Sequence, residues 1–350
     1  MSNEVIFLIG FVVFIMVMMA ADLGLFSKPN QPVTLKRAAI MSLIWIGFAL
    51  LFYVLLLNYG HMLHSIKNFA GLQAVNISHF HKLKLNPTDF AGGLDLYRKN
   101  IGLEFITGYV VEYALSVDNI FVIVLVFAAF KVSEKHYHKV LLWGIIGAIV
   151  MRFLFVFLGA ALITKFEWIL YLFGAFLIYT GVMMFINRNK EDNIDPENHK
   201  VVKLASKYFA VHPRFEGDKF FVKLNGKKLI TPLFLVLLII EFTDLIFAVD
   251  SIPAVFSVTK DPYIVFFSNI FAILGLRSMF FLLANIIDKF HYLKVGLALL
   301  LVFIGAKMLA GHYAEQIGLT TMRSLIIIVL ILVISVVASL VFPKNKTATA

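Results

Sequence analysis

Apolar runs about 17–25 residues long recur along this chain, and each is long enough for one helix to cross the hydrocarbon core of a bilayer. Once in lipid, the backbone must satisfy its own hydrogen bonds, which restricts such a chain to a helical bundle or a closed barrel. Runs of this length read as helices. About nine spans are predicted: Val5–Ala21, Ala38–Asn58, Leu103–Phe127, Val140–Ile163, Trp168–Ile186, Thr231–Phe256, Tyr263–Ile287, Leu293–Ala310 and Ser324–Phe342. Composition agrees: 61% of the 350 residues are hydrophobic, 15% are charged, and mean hydropathy is +0.90. A soluble domain would carry about 25% charged residues. The expected class is an all-α polytopic membrane protein. The first span lacks a basic n-region and contains Glu4, so it is read as a retained helix rather than a signal peptide.

The formal charge of +10 sits between the apolar runs, where it sets topology instead of indicating nucleic acid. Lys28, Lys36 and Arg37 follow the first span, Lys131, Lys135 and Lys139 the third, Lys289 and Lys294 the seventh, and Lys344 and Lys346 the last. Lys165, Lys260 and Arg323 stand one each in alternate loops. This predicts an external N-terminus and a cytoplasmic C-terminus. Segment 59–100 runs against the rule: it should be external yet holds Lys67, Lys82, Lys84, Arg98 and Lys99. It also carries His61, His64, His79 and His81, which could collect metal but are expected to be solvated. In segment 187–230, read as cytoplasmic, Asn225-Gly226 between β-prone runs predicts a hairpin.

An internal repeat carries the chemistry. Setting "EYALSVDNIF" (Glu112–Phe121) over "DLIFAVDSIP" (Asp244–Pro253) places Glu112 on Asp244, Asp118 on Asp250 and polar Asn119 on polar Ser251. The following runs correspond through Arg152 and Arg277, and the next through Gly181 and Gly305. Two three-helix units therefore span 101–186 and 231–310, with two helices in 1–58 and one in 311–350 added. An odd number of spans per unit inverts the second relative to the first, an arrangement common in secondary transporters, with the site at the repeat interface.

A carboxylate at the bilayer centre costs about 2.5–3.5 kcal/mol on insertion scales, so deep acids call for a function. Five deep acids (Glu112, Asp118, Glu241, Asp244, Asp250) face three deep bases (Arg152, Arg277, Lys307), an excess of two negative charges that suits one divalent cation. Polar Asn119 and Ser251 stand beside the acids. Oxygen donors favour Mg²⁺, Ca²⁺ and Mn²⁺, whereas Zn²⁺ and Cu²⁺ prefer imidazole and thiolate. The chain has no Cys, and its ten His fall outside the predicted spans. Arg152 and Arg277 are expected to balance charge, and Lys307 is a candidate counter-ion or packing residue. Pro253 removes an N–H one turn after Val249, predicting a helix break beside Asp250. Asp22 is read as interfacial. Salt bridges alone would explain the bases but leave acids over.

The segments "VEYALSVDNIFV", "IIGAIVMRF", "LYLFGAFLIYTGVMM", "EFTDLIFAVDSIPAVF", "SNIFAILGLRSMFFLL" and "LVFIGAKML" together resemble the TerC/Alx integral membrane family. The resemblance implies a fold akin to LysE-type exporters, an inner-membrane location, a link to tellurium resistance and export of manganese. It implies metal-site acids at Glu112, Asp118, Glu241, Asp244 and Asp250, beside Asn119 and Ser251. Segment 59–100 is longer than the family's usual connection. The expected function is export of a divalent cation, Mn²⁺ foremost, in exchange for protons. The rivals are a non-transporting component of tellurite or envelope stress resistance and a Ca²⁺/H⁺-type exchanger. The expected partners are the ion and the lipid bilayer, with no resident cofactor, nucleic acid or enzymatic reaction.

Overall fold

A computed structural model describes residues 3–26, 34–81, 83–166, 168–188, 195, 199–224, 226–284 and 292–342. Lys28, Lys82, Asn225, Lys289, Lys344, Lys346 and the side chain of Asp22 lie outside the described residues. The helices are α1 (Asn3–Phe26), α2 (Leu35–Tyr59), α3 (Phe69–Ser78), α4 (Phe90–Ala129), α5 (Tyr137–Lys165), α6 (Ile169–Ile186), α7 (Lys200–Tyr208), α8 (Pro232–Phe256), α9 (Pro262–Leu283), α10 (Leu293–Ala310), α11 (His312–Gln316) and α12 (Thr321–Val341). Nine of them, among the described residues, are long and apolar enough to cross a membrane: all except α3, α7 and α11. Strands β1 (Phe221–Leu224) and β2 (Lys227–Ile230) pair antiparallel around the Asn225-Gly226 position. With α7 they dock on the start of α8 through a small cluster of Ala205, Ile230 and Leu235.

Helix α4 departs most from the sequence expectation. It spans 40 residues rather than starting at Leu103. At about 1.5 Å per residue it is roughly twice the hydrocarbon thickness, so its first turns project beyond the lipid. Asp89 caps this extension by accepting from Gly92 N–H at 2.8 Å, and Asp95 and Lys99 pair one turn apart at 2.6 Å. These charges broke the apolar run in the sequence while remaining compatible with a helix. Segment 59–100 is thus not a plain loop: it holds α3 and the projecting turns of α4.

The helix break expected beside Asp250 is absent. Helix α8 runs through Pro253 to Phe256, and α4 is likewise continuous through Ser116 and Asn119. Proline deletes one backbone hydrogen bond, and here only three residues of helix follow it. Its own carbonyl still accepts from Ser257 N–H at 3.0 Å.

Helix α9 is the centre of the bundle, with nearly every residue buried against α2, α4 and α5. Helices α6 and α10 pack antiparallel at closest approach: a Cβ on Gly174 would lie 3.0 Å from the Gly305 carbonyl, and one on Gly181 would lie 2.7 Å from the Ala298 carbonyl. The Gly181/Gly305 equivalence carries Gly174 onto Ala298, so the two contacts exchange under the repeat. Two sequence-matched helices running in opposite directions are what an inverted repeat requires.

Candidate metal centre

Helices α4 and α8 bring four of the five acids, Glu112, Asp118, Asp244 and Asp250, to one region. Arg152 of α5 is completely buried between them. Its Nη1 donates to Glu112 Oε1, to Ser251 Oγ at 3.0 Å and to Asn269 Oδ1 at 2.6 Å, while Nη2 lies 3.7 Å from Asp244 Oδ1. Asn119 Nδ2 donates to the same Asp244 oxygen at 3.2 Å. Repeat-equivalent Glu112 and Asp244 therefore share one guanidinium. A buried ion pair repays its desolvation only with further hydrogen bonds; Ser251 and Asn269 supply them at Nη1, while Nε and Nη2 are buried without a hydrogen bond among the described residues.

Two cavities flank this network. The first is lined by Asn119, Thr243, Asp244, Phe247 and Arg277 among apolar side chains. The second, of about 370 Å³ of empty space, is lined by Glu112, Asp118, Asn119, Phe247, Asp250 and Ser251. Asn119 and Phe247 border both, and Asn119 is hydrogen-bonded to Asp244 of the first. Asp250 accepts from Thr180 Oγ1 of α6 at 3.2 Å. Glu112 Oε2, Asp244 Oδ2 and Ser116 Oγ are buried and make no hydrogen bond among the described residues. Uncompensated buried oxygens are costly, and an ion is one group that would satisfy them.

Of the sequence-predicted residues, Glu112, Asp118, Asn119, Asp250 and Ser251 line one cavity, and Asp244 and Arg277 the other. Glu241 stands apart from both linings. Its carboxylate lies against the backbone of α5, with both oxygens 2.1 Å from where a Cβ on Gly147 would be. Lys307 is half-buried on α10 and lines neither cavity. Pro253 is buried within the last turn of α8. Sequence reasoning missed Asn269 and Thr180. The available signal was a polar side chain inside an apolar span, weaker than that of an acid because an uncharged group costs less to bury.

Residues 97–347 match the integral membrane protein TerC family. The chain belongs to that family. Among its relatives, a membrane protein of Myxococcus xanthus designated STKORF319 is 43% identical over 96% of this chain and 92% of its own length. A membrane protein of Rickettsia bellii is 39% identical over 95% of this chain and 96% of its own. An Escherichia coli K12 protein named as membrane-bound redox modulator Alx is 40% identical over 86% of this chain and 84% of its own. No solved structure matches. The cavities and the Arg152 network all lie within the part of this TerC-family chain that matches the family.

Proposed function

We propose that this TerC-family membrane protein exports a divalent cation, Mn²⁺ foremost, through the carboxylate cavities between α4 and α8, in exchange for protons. The observation that carries this reading is the placement of repeat-equivalent Asp118 and Asp250 on one cavity, with Glu112, Asn119 and Ser251 as its other polar lining residues. Oxygen donors with an excess of negative charge suit Mn²⁺, Mg²⁺ and Ca²⁺. An ion in this cavity would displace the Asn119–Asp244 hydrogen bond to reach the next, and rocking of the two inverted units would alternate access. Arg152, fixed by Ser251 and Asn269, would hold Glu112 and Asp244 and keep the site neutral after the ion leaves. The cytoplasmic membrane, with the C-terminus inside, is the setting proposed for this transport. A chain without Cys cannot exert a redox effect through thiols of its own.

The test is flux into proteoliposomes across Mn²⁺, Ca²⁺, Mg²⁺ and Zn²⁺, with a pH-sensitive dye inside. Saturable Mn²⁺ flux with opposing proton movement supports the reading. Absence of flux for all four ions favours a non-transporting role in stress resistance, and Ca²⁺ flux without Mn²⁺ flux favours the Ca²⁺/H⁺ exchanger.

A further inference from the structure

Two of the four histidines of segment 59–100 are not solvated as the sequence suggested. His64 and His81 are buried, and three acids from distant parts of the chain converge on them. His64 Nδ1 lies 2.9 Å from Glu4 Oε1 on α1, and its Nε2 lies 2.9 Å from Asp261 Oδ2 at the start of α9. The His79 ring packs 4.3 Å from that of His64, and one ligand atom each from Glu4, His64 and His79 lie within 4.8 Å of one another. His81 Nδ1 is 3.1 Å from Glu104 Oε1, which leaves its Nε2 facing Asp261 at 4.0 Å. That Nε2 is buried and has no hydrogen-bond partner among the described residues.

We infer that Glu4, His64 and His79 form a binding site for a divalent transition-metal ion of the Zn²⁺ class, separate from the transport cavities. Two imidazoles and a carboxylate are a recurrent ligand set for such ions, with positions left for water or a further donor. His64 is oriented for it. A metal-binding imidazole usually donates its other N–H to a carboxylate, which fixes the tautomer and strengthens the ligand. Asp261 supplies that acceptor at Nε2 and leaves Nδ1 for the ion beside Glu4. Asp261 is itself fixed, since its other oxygen caps α9 by accepting from Tyr263 N–H at 2.9 Å. Glu104 orients His81 in the same way, with Thr259 Oγ1 donating to the other Glu104 oxygen at 2.7 Å. An ion here joins α1 to the segment between α2 and α4, beside the first residue of α9. The imidazole-rich set separates it chemically from the carboxylate cavities between α4 and α8.

The experiment uses the full chain in detergent, stripped with EDTA, and Co²⁺ as a spectroscopic probe. A saturable Co²⁺ site is expected, with visible bands of nitrogen–oxygen coordination that Zn²⁺ abolishes and Mg²⁺ leaves in place. His79→Ala should remove the bands, and Glu4→Gln, a milder change at a half-exposed position, should weaken binding at least about tenfold. Asp261→Asn should weaken it about 10–100-fold, the usual effect of losing such a supporting carboxylate. Asp250→Asn, in the transport cavity, should leave the bands unchanged, so this site and the transport reading fail independently. Co²⁺ bands that are absent, that persist in both His79→Ala and Glu4→Gln, or that vanish in Asp250→Asn would overturn the assignment. Each variant is scored on the monodisperse fraction after size exclusion.

Discussion

Asp118 of α4 and Asp250 of α8 hold equivalent positions in the two repeats and line the same cavity. Their repeat-equivalent neighbours, Glu112 and Asp244, share the guanidinium of Arg152. The two acid pairs thus divide the work in the proposed cycle. One is held by a fixed base, and the other faces the cavity between α4 and α8.

That division predicts opposite mutational signatures. Arg152→Gln strands the buried Glu112 carboxylate, and breaking a buried pair this way costs about 3–5 kcal/mol. It should lower the yield of folded protein and the Tm in detergent. Asp250→Asn keeps shape and one oxygen, so its effect on Tm should be small by comparison. Equal losses of Tm in the two variants would contradict the division.

Two glycines separate a flexible neighbour from a rigid one. In Gly147→Ala the three atoms nearest the new Cβ all belong to the carboxylate end of Glu241, which can swing away. Its Tm should change little while Glu241 leaves its seat on α5, so flux should respond more than stability. In Gly305→Ala the Cβ would lie 2.6 Å from the Gly174 carbonyl and 3.0 Å from Ile178 N, so α6 and α10 must move apart. Overpacking of this kind costs about 1–3 kcal/mol or more, read as a lower Tm.

Spans and repeat were legible in the sequence because lipid imposes length and makes every acid conspicuous. Charge on a projecting helix was not: Asp95, Arg98 and Lys99 hid the first turns of α4 because hydropathy reads lipid contact, not helicity. Spacing also misled. Glu241 and Asp244 lie one turn apart on α8, close enough to suggest one ligand pair, yet Glu241 seats against Gly147 while Asp244 reaches Arg152 and Asn119. The histidines were noticed in the sequence but their burial was not, because Glu4 and Asp261 reach His64 only through the packing of α1 and α9.

The same cluster predicts a pH response of the metal-free protein. Burial alone would lower the pKa of His64, but Asp261 and Glu4 outweigh it and raise it to about 9. His81 shifts upward beside Glu104 and Asp261, against burial; burial lowers His79. A raised histidine contributes stability that is complete below its unfolded pKa of about 6.5 and is lost as pH rises through its folded value. In EDTA the Tm should therefore fall between about pH 6.5 and 9, and His64→Gln should flatten that fall. A Tm that rises over this window in the unsubstituted protein would contradict the ion-pair geometry around Glu4, His64, His81, Glu104 and Asp261.

The most direct test of the central claim is Mn²⁺ efflux normalised to membrane-inserted protein for Asp118→Asn and Asp250→Asn. If the cavity between α4 and α8 carries the ion, each single substitution should abolish efflux while insertion and Tm stay near those of the unsubstituted protein. Efflux at the unsubstituted level in both variants would contradict the carboxylate site.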